Sequence, residues 1–93
     1  MKKVDANIDE MRQFSVFLKH YKQDVQSRRQ LITLRLSQLS NSWRDKAYET
    51  YKEDFLKEWN RIVKADDEFL DEKIKEIELK ASELEEFLNK FNR

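Results

Sequence analysis

Residues able to do covalent or metal chemistry are scarce in this chain. His20 is the single histidine among 93 residues, and cysteine is absent. Neither a Cys–His nucleophile nor a thiolate–imidazole metal site can be assembled from that inventory. Next to Tyr21 in a helical pattern, His20 reads as a partly exposed surface residue. Carboxylates gather at Asp66, Asp67, Glu68, Asp71 and Glu72, and again at Glu83, Glu85 and Glu86. Paired carboxylates do acid–base work when burial drives their pKa values apart. These lie among lysines, which reads as a solvated helix face. A calcium loop would need a glycine at its sharp turn, and the chain has none. The same lack excludes a P-loop and a dinucleotide fingerprint. Lys19, Lys22, Arg28, Arg29 and Arg35 make a basic stretch, but no nucleic-acid motif surrounds it and the downstream half is acidic. No catalytic residue, cofactor or metal is therefore expected. What remains is recognition, carried by aromatic side chains.

The elements that position those side chains follow from composition and period. Charged residues make up 41% and apolar residues 39%, against about 25% and 45–50% in ordinary domains. That balance suits long exposed helices. Glycine and proline are both absent, so β architectures with tight turns are disfavoured. At this length one domain, residues 1–93, is the expectation. Net charge is zero, and no global field draws the chain to nucleic acid. The charge is polarised, however. Residues 1–42 hold eight Lys/Arg against four Asp/Glu, and residues 43–93 hold eleven against fifteen. This asymmetry fits a partner chosen by charge or, more simply, two helices of one hairpin that complement each other. The opening MKKVDANIDEMRQF lacks the apolar stretch of a signal peptide. No run approaches the ~20 apolar residues of a membrane span. Neither membrane insertion nor a cleavable signal is expected.

Two helical patterns account for nearly the whole chain. In the first, Met11, Leu18, Val25, Ile32 and Leu39 recur every seven residues, with Phe14 and Tyr21 in the companion row. Phe17, Leu31, Leu34 and Leu36 widen that stripe. In the second, Leu56, Val63, Leu70, Ile77, Leu84 and Phe91 recur at the same step, with Ile74, Ala81 and Leu88 between them. Phe55, Trp59, Ile62, Phe69 and Phe87 broaden this face. Strict heptads favour a left-handed, coiled-coil-like crossing. Between the patterns stands Ser40-Asn41-Ser42, residue types that favour caps and turns. Ser42 with Asp45 has the form of a capping box, which would start a helix near Trp43. Short helix–helix connections join antiparallel neighbours. The fold class expected is all-α: helix 1 over about 6–40, a turn at about 40–43, and helix 2 over about 43–91. At 1.5 Å per residue the helices measure roughly 50 and 70 Å, so the second overhangs the first or frays at its end.

The turn carries the most specific pattern. After SNS, Trp43, Ala47, Tyr51, Phe55 and Trp59 follow at steps of four, the spacing that stacks side chains on one helix face. A small residue at 47 would let the helices approach beside the turn. Leu39-x3-Trp43-x-Asp45-x-Ala47-x3-Tyr51-x3-Phe55 resembles the signature of the WXG family, the early-secreted-antigen-like helical hairpins of type VII secretion. That signature is Leu-x3-Trp-x-Gly, a small residue two positions on, then aromatics. The resemblance covers the chain as architecture and Leu39 to Phe55 as motif. Asp45 stands where the family has glycine, and Asp can cap a helix where glycine would turn the chain. No Tyr-x-x-x-Asp/Glu export signal follows helix 2, because no tyrosine occurs after Tyr51.

The resemblance implies a secreted factor, or an adaptor partner, of a type VII-like system. Such a protein is exported without a cleavable signal or resides in the cytoplasm before export. Leu39, Trp43, Asp45, Ala47, Tyr51 and Phe55 would form its recognition motif. Independently, stripes wider than one two-helix seam, in a hairpin too small to bury much alone, suggest pairing into a four-helix bundle. The partner would be a second copy or a related hairpin. The stripe residues expected in core or dimer contacts are Met11, Leu18, Val25, Ile32, Trp59, Val63, Leu70, Ile77 and Leu84. A structural coiled-coil adaptor unconnected with secretion is the alternative.

Overall fold

The computed structural model describes residues 7–91, and within them the chain forms an extended helical hairpin. Helix α1 spans Ile8–Gln38, a single 3-10 turn spans Leu39–Asn41, and helix α2 spans Lys46–Phe91. At 1.5 Å per residue, the 46 residues of α2 reach roughly 69 Å. That alone accounts for the long axis of a molecule measuring 72 × 17 × 16 Å. The 31 residues of α1 cover roughly 46 Å, so α2 is the backbone of the hairpin and α1 lies along part of it.

Each helix end is made by identifiable residues. Asn7 is extended (φ −107°) and its side chain accepts from the Glu10 N–H at 3.1 Å, satisfying one of the free donors of the first turn. Asp9 and Glu10 place negative charge at the positive end of the helix dipole. At the other end no glycine is available for a left-handed cap, and α1 tightens instead. The Ser42 and Trp43 N–H groups both donate to the Leu39 carbonyl, at 3.1 and 2.8 Å. The reversal is completed with no positive φ among the described residues. Helix 2 was expected to start near Trp43 behind a Ser42 cap. It starts at Lys46, because Asp45 is the capping residue: its carboxylate accepts from the Tyr48 N–H at 3.1 Å. The non-α connection therefore runs over 39–45 and not 40–43. Position 6, the expected start of helix 1, lies outside the described residues.

The interior is thin. Leu36, Tyr48, Leu70, Ile74 and Ala81 are its buried apolar residues, joined by Ser15. Ser15 and Ala81 are both small and almost inaccessible, at 2% and 0% exposure, which lets the helices approach closely towards the open end. Ala47, the residue expected to permit close approach beside the turn, is exposed; the larger Tyr48 fills that place.

The heptad rows explain why so much apolar surface stays open. An α-helix has 3.6 residues per turn, so a strict seven-residue row drifts around a straight helix by about 20° per heptad. In α1 the row Met11, Leu18, Val25 is half-buried against α2. By Ile32 and Leu39 it has turned outward, and both are 40% exposed. In α2 the row passes from buried Leu70 through half-buried Ile77 and Leu84 to Phe91 at 72%. Each row leaves the seam between the helices and emerges on the outer surface.

Candidate recognition surface at the turn and along one face

The turn is organised around Asp45. Its Oδ1 accepts from the Tyr48 N–H and from the Trp43 indole N–H, the latter at 2.8 Å. One carboxylate thus caps α2 and fixes the tryptophan ring. Trp43 is half-buried. It meets Tyr48 edge-on at 5.5 Å between centroids and Tyr51 at 5.7 Å. Tyr48 is 2% exposed, and its hydroxyl donates to the Leu36 carbonyl at 2.8 Å, tying the start of α2 to the end of α1. From Tyr51 the rings continue to Phe55 at 6.0 Å and on to Trp59 at 5.9 Å. Such spacings give edge and offset contacts worth about 0.5–1.5 kcal/mol each beyond the area buried. Tyr51 remains 47% exposed. Between it and α1 runs a groove of about 420 Å³, lined by Ile32, Leu36, Leu39, Tyr51 and Phe55, with Arg35 at its rim.

The two long faces of the hairpin differ in kind. One carries a ladder of cross-helix ion pairs: Arg12–Glu85 at 2.6 Å, Lys19–Glu78 at 2.7 Å, Lys22–Asp71, and Arg29 to both Asp66 and Asp67. Ser15 also donates to Glu78 at 2.7 Å. The Arg12 hydrogen bond and charge hold the Glu85 carboxyl below its usual range. Glu78 is held low by the hydrogen bonds from Lys19 and Ser15. Arg29 is the most enclosed rung, its side chain 11% exposed. Its guanidinium is held still more firmly protonated, first by the hydrogen bond to Asp67. The acidic cluster at 66–72 is thus not a simple solvated face: Asp66, Asp67 and Asp71 are ion-pair partners of α1. The basic stretch contributes Lys19, Lys22 and Arg29 to the same ladder.

The opposite face is mostly apolar, interrupted by Arg28 and Arg35 on α1 and by Lys73 and Lys80 on α2. At about 100° per residue, Phe14, Phe17, Tyr21, Ile32 and Leu39 fall in one arc of α1, turned away from its ion-pairing residues. Tyr51, Phe55, Ile62, Phe69 and Phe87 fall in the corresponding arc of α2. In an antiparallel pair these two arcs share one side. Most of these residues are 40–64% exposed. Val16, Leu34 and Leu79 are exposed elsewhere as scattered single residues, which is ordinary.

The residues anticipated from the sequence are therefore distributed as follows. Leu39, Trp43, Tyr51 and Phe55 come together at the turn, with Asp45 as their anchor, while Ala47 faces solvent. Leu70 is buried; Met11, Leu18, Val25, Trp59, Val63, Ile77 and Leu84 are half-buried; Ile32 is exposed. Tyr48 and Arg29 were missed as structural centres. Tyr48 lies outside the four-residue aromatic series, and its partner is a backbone carbonyl that no spacing reveals. Among the described residues no cluster of His, Cys, Asp or Glu is arranged to hold a metal ion. No helix among the described residues is long and apolar enough to cross a membrane. The fold and its surface define a class, the α-helical hairpin with one ion-paired face and one apolar face. Comparison with protein families, curated proteins and solved structures found no match.

Proposed function

We propose that this chain is a non-catalytic, WXG-like helical hairpin that works by binding other proteins. In this reading it is an exported factor, or an adaptor partner, of a type VII-like secretion system. It pairs with a second copy or a related hairpin in a four-helix bundle. The observation that carries the reading is the turn: Trp43 is half-buried and locked by its indole N–H to the residue that caps α2. A ring needed only for packing would gain by full burial. A ring held rigidly at a half-open apex is pre-organised to meet a partner, at reduced entropic cost. Asp45 is the point of departure from the family's glycine: it completes the turn by capping α2, with no positive φ among the described residues.

The test is co-expression with a type VII-like system, following export and recovery of bound partner proteins. Trp43→Ala is expected to keep its helical content and lose export or partner. Unchanged export and pull-down by a folded Trp43→Ala chain would overturn the reading. A second reading, a coiled-coil adaptor with no link to secretion, draws on the heptad row that runs through the 46-residue α2. It would be favoured if partner binding tracked Ile62 and Phe69 and ignored Trp43.

A further inference from the structure

Not every cation of α1 is used within the hairpin. The helix carries six, and the ladder takes Arg12, Lys19, Lys22 and Arg29. Arg28 and Arg35 are exposed and form no ion pair among the described residues. Asp24 stands one turn before Arg28, and Glu58 lies on the corresponding arc of α2. Neither acid comes within ion-pairing distance of the two arginines. The positive excess of the first half of the sequence is therefore only partly consumed by the ladder.

Both arginines belong to the open arc of α1, two turns and about 10.5 Å apart along the helix. Ile32 lies between them, a turn from each, and is 40% exposed. Arg35 lines the turn groove together with Ile32, Leu36, Leu39, Tyr51 and Phe55. The groove is thus an apolar floor with one guanidinium at its edge and a second two turns farther from the reversal. A wholly apolar cover would strip water from both cations and return nothing. A second copy laid face to face would bring the same two cations to the same surface. A cover bearing carboxylates satisfies both, since guanidinium takes carboxylate through two parallel hydrogen bonds. Charges that flank an apolar row select the partner in helix pairs.

We propose that the turn half of the open face docks an acidic amphipathic helix of a different protein. The apolar stripe of that helix, at i, i+3, i+4 and i+7 spacing, seats in the groove over Ile32, Leu39 and Tyr51. Two carboxylates seven residues apart beside the stripe meet Arg28 and Arg35. The proposal rests on the reading above that the chain works by binding other proteins, and it names the chemistry of one partner. It needs neither export nor a four-helix bundle, so the Trp43 test can succeed where this one fails.

The probe is a labelled four-turn peptide braced as a helix, with leucines along one face, two glutamates seven positions apart beside them and neutral side chains elsewhere. A twin peptide carries lysine in place of both glutamates. Fluorescence anisotropy against the full chain reads the affinity of each. The glutamate peptide is expected to bind roughly tenfold or more tighter than its twin. Arg28→Glu with Arg35→Glu is expected to reverse that order. Both substitutions lie outside the ladder, and circular dichroism checks that the helices persist. Ile32→Ser is expected to weaken the glutamate peptide by roughly threefold or more. Peptides that bind equally, or a glutamate peptide that does not bind, would overturn the proposal. A preference that survives the double reversal, or an affinity untouched by Ile32→Ser, would place the acidic helix elsewhere and overturn it too. Sedimentation equilibrium on the unmodified chain addresses the remaining occupant. A dimer that the glutamate peptide fails to displace, and that the double reversal leaves intact, would make a second copy the cover and sink the proposal.

Discussion

At the scale of single residues the turn separates two roles that a sequence spacing runs together. Tyr48 is the structural ring: buried, with its hydroxyl on the Leu36 carbonyl. Tyr48→Ala is expected to lower stability by about 3–5 kcal/mol, as for large buried aromatics. Tyr48→Phe keeps the packing and loses one hydrogen bond, about 1 kcal/mol. Trp43 is half-buried, so Trp43→Ala should cost less than the full core figure, about 1–2 kcal/mol. Denaturant titration of the three variants checks this order, and a Trp43→Ala loss matching Tyr48→Ala would make Trp43 a core residue. Asp45 serves two donors at once. Asp45→Ala should cost about 0.5–2 kcal/mol as a lost cap, and Asp45→Asn much less. Quenching of Trp43 fluorescence reports whether the ring has come free in each.

At the scale of the helices the ladder sets how α1 lies on α2. Its outer rungs are exposed, and exposed pairs contribute little individually; their value is in selecting one register out of several similar apolar seams. The rung at Arg29 differs, because two adjacent carboxylates depend on one enclosed guanidinium. Arg29→Met leaves Asp66 and Asp67 facing each other without a counter-ion, and a loss of about 1–3 kcal/mol is expected by chemical denaturation. The pH dependence follows from Glu78 and Glu85, whose carboxyls are held below their unfolded values by Lys19 with Ser15 and by Arg12. A depressed carboxylate contributes stability that is present above its unfolded pKa and lost as pH falls through the folded one. The hairpin is therefore expected to keep its melting temperature from neutrality down to the ordinary glutamate range and to lose it below. Glu78→Gln and Glu85→Gln together should flatten that acid limb. A melting temperature insensitive to acid would mean that these pairs do not survive in solution.

At the scale of the whole molecule, the hairpin is too thin to be comfortable alone. Six buried residues among those described are a small interior for two helices of this length. In the four-helix bundle proposed above, a fully overlapping pair of hairpins would double the mass while leaving the longest dimension near the 72 Å of one hairpin. Small-angle scattering is expected to show that combination; a longest dimension well beyond it would indicate a staggered or end-to-end assembly. Association through a mostly apolar face should also hold up in high salt, while the exposed rungs within each hairpin weaken.

The all-α hairpin was legible in the sequence because its causes are local. Absent glycine and proline, two long apolar periods and one polar break at Ser40-Asn41-Ser42 leave few other arrangements. The aromatic series from Trp43 was legible for the same reason, since steps of four land on one face whatever surrounds the helix. The cap was assigned to Ser42, three residues early, because Ser42-x-x-Asp45 reads as a capping box until the path of the turn shows Asp45 doing the capping. The heptad rows were visible, but not which parts of them are buried. Only the packed hairpin shows a straight-helix drift carrying Ile32, Leu39 and Phe91 out of the seam. Nor does spacing say that Asp66 and Asp67 belong to Arg29, nearly forty residues away in the chain. Periodicity is a property of one helix, whereas burial and ion pairing depend on how two helices are rotated against each other. The sequence by itself determined the helices and the place of reversal; the tertiary structure alone decided that one long face would be charged and paired and the other apolar and open.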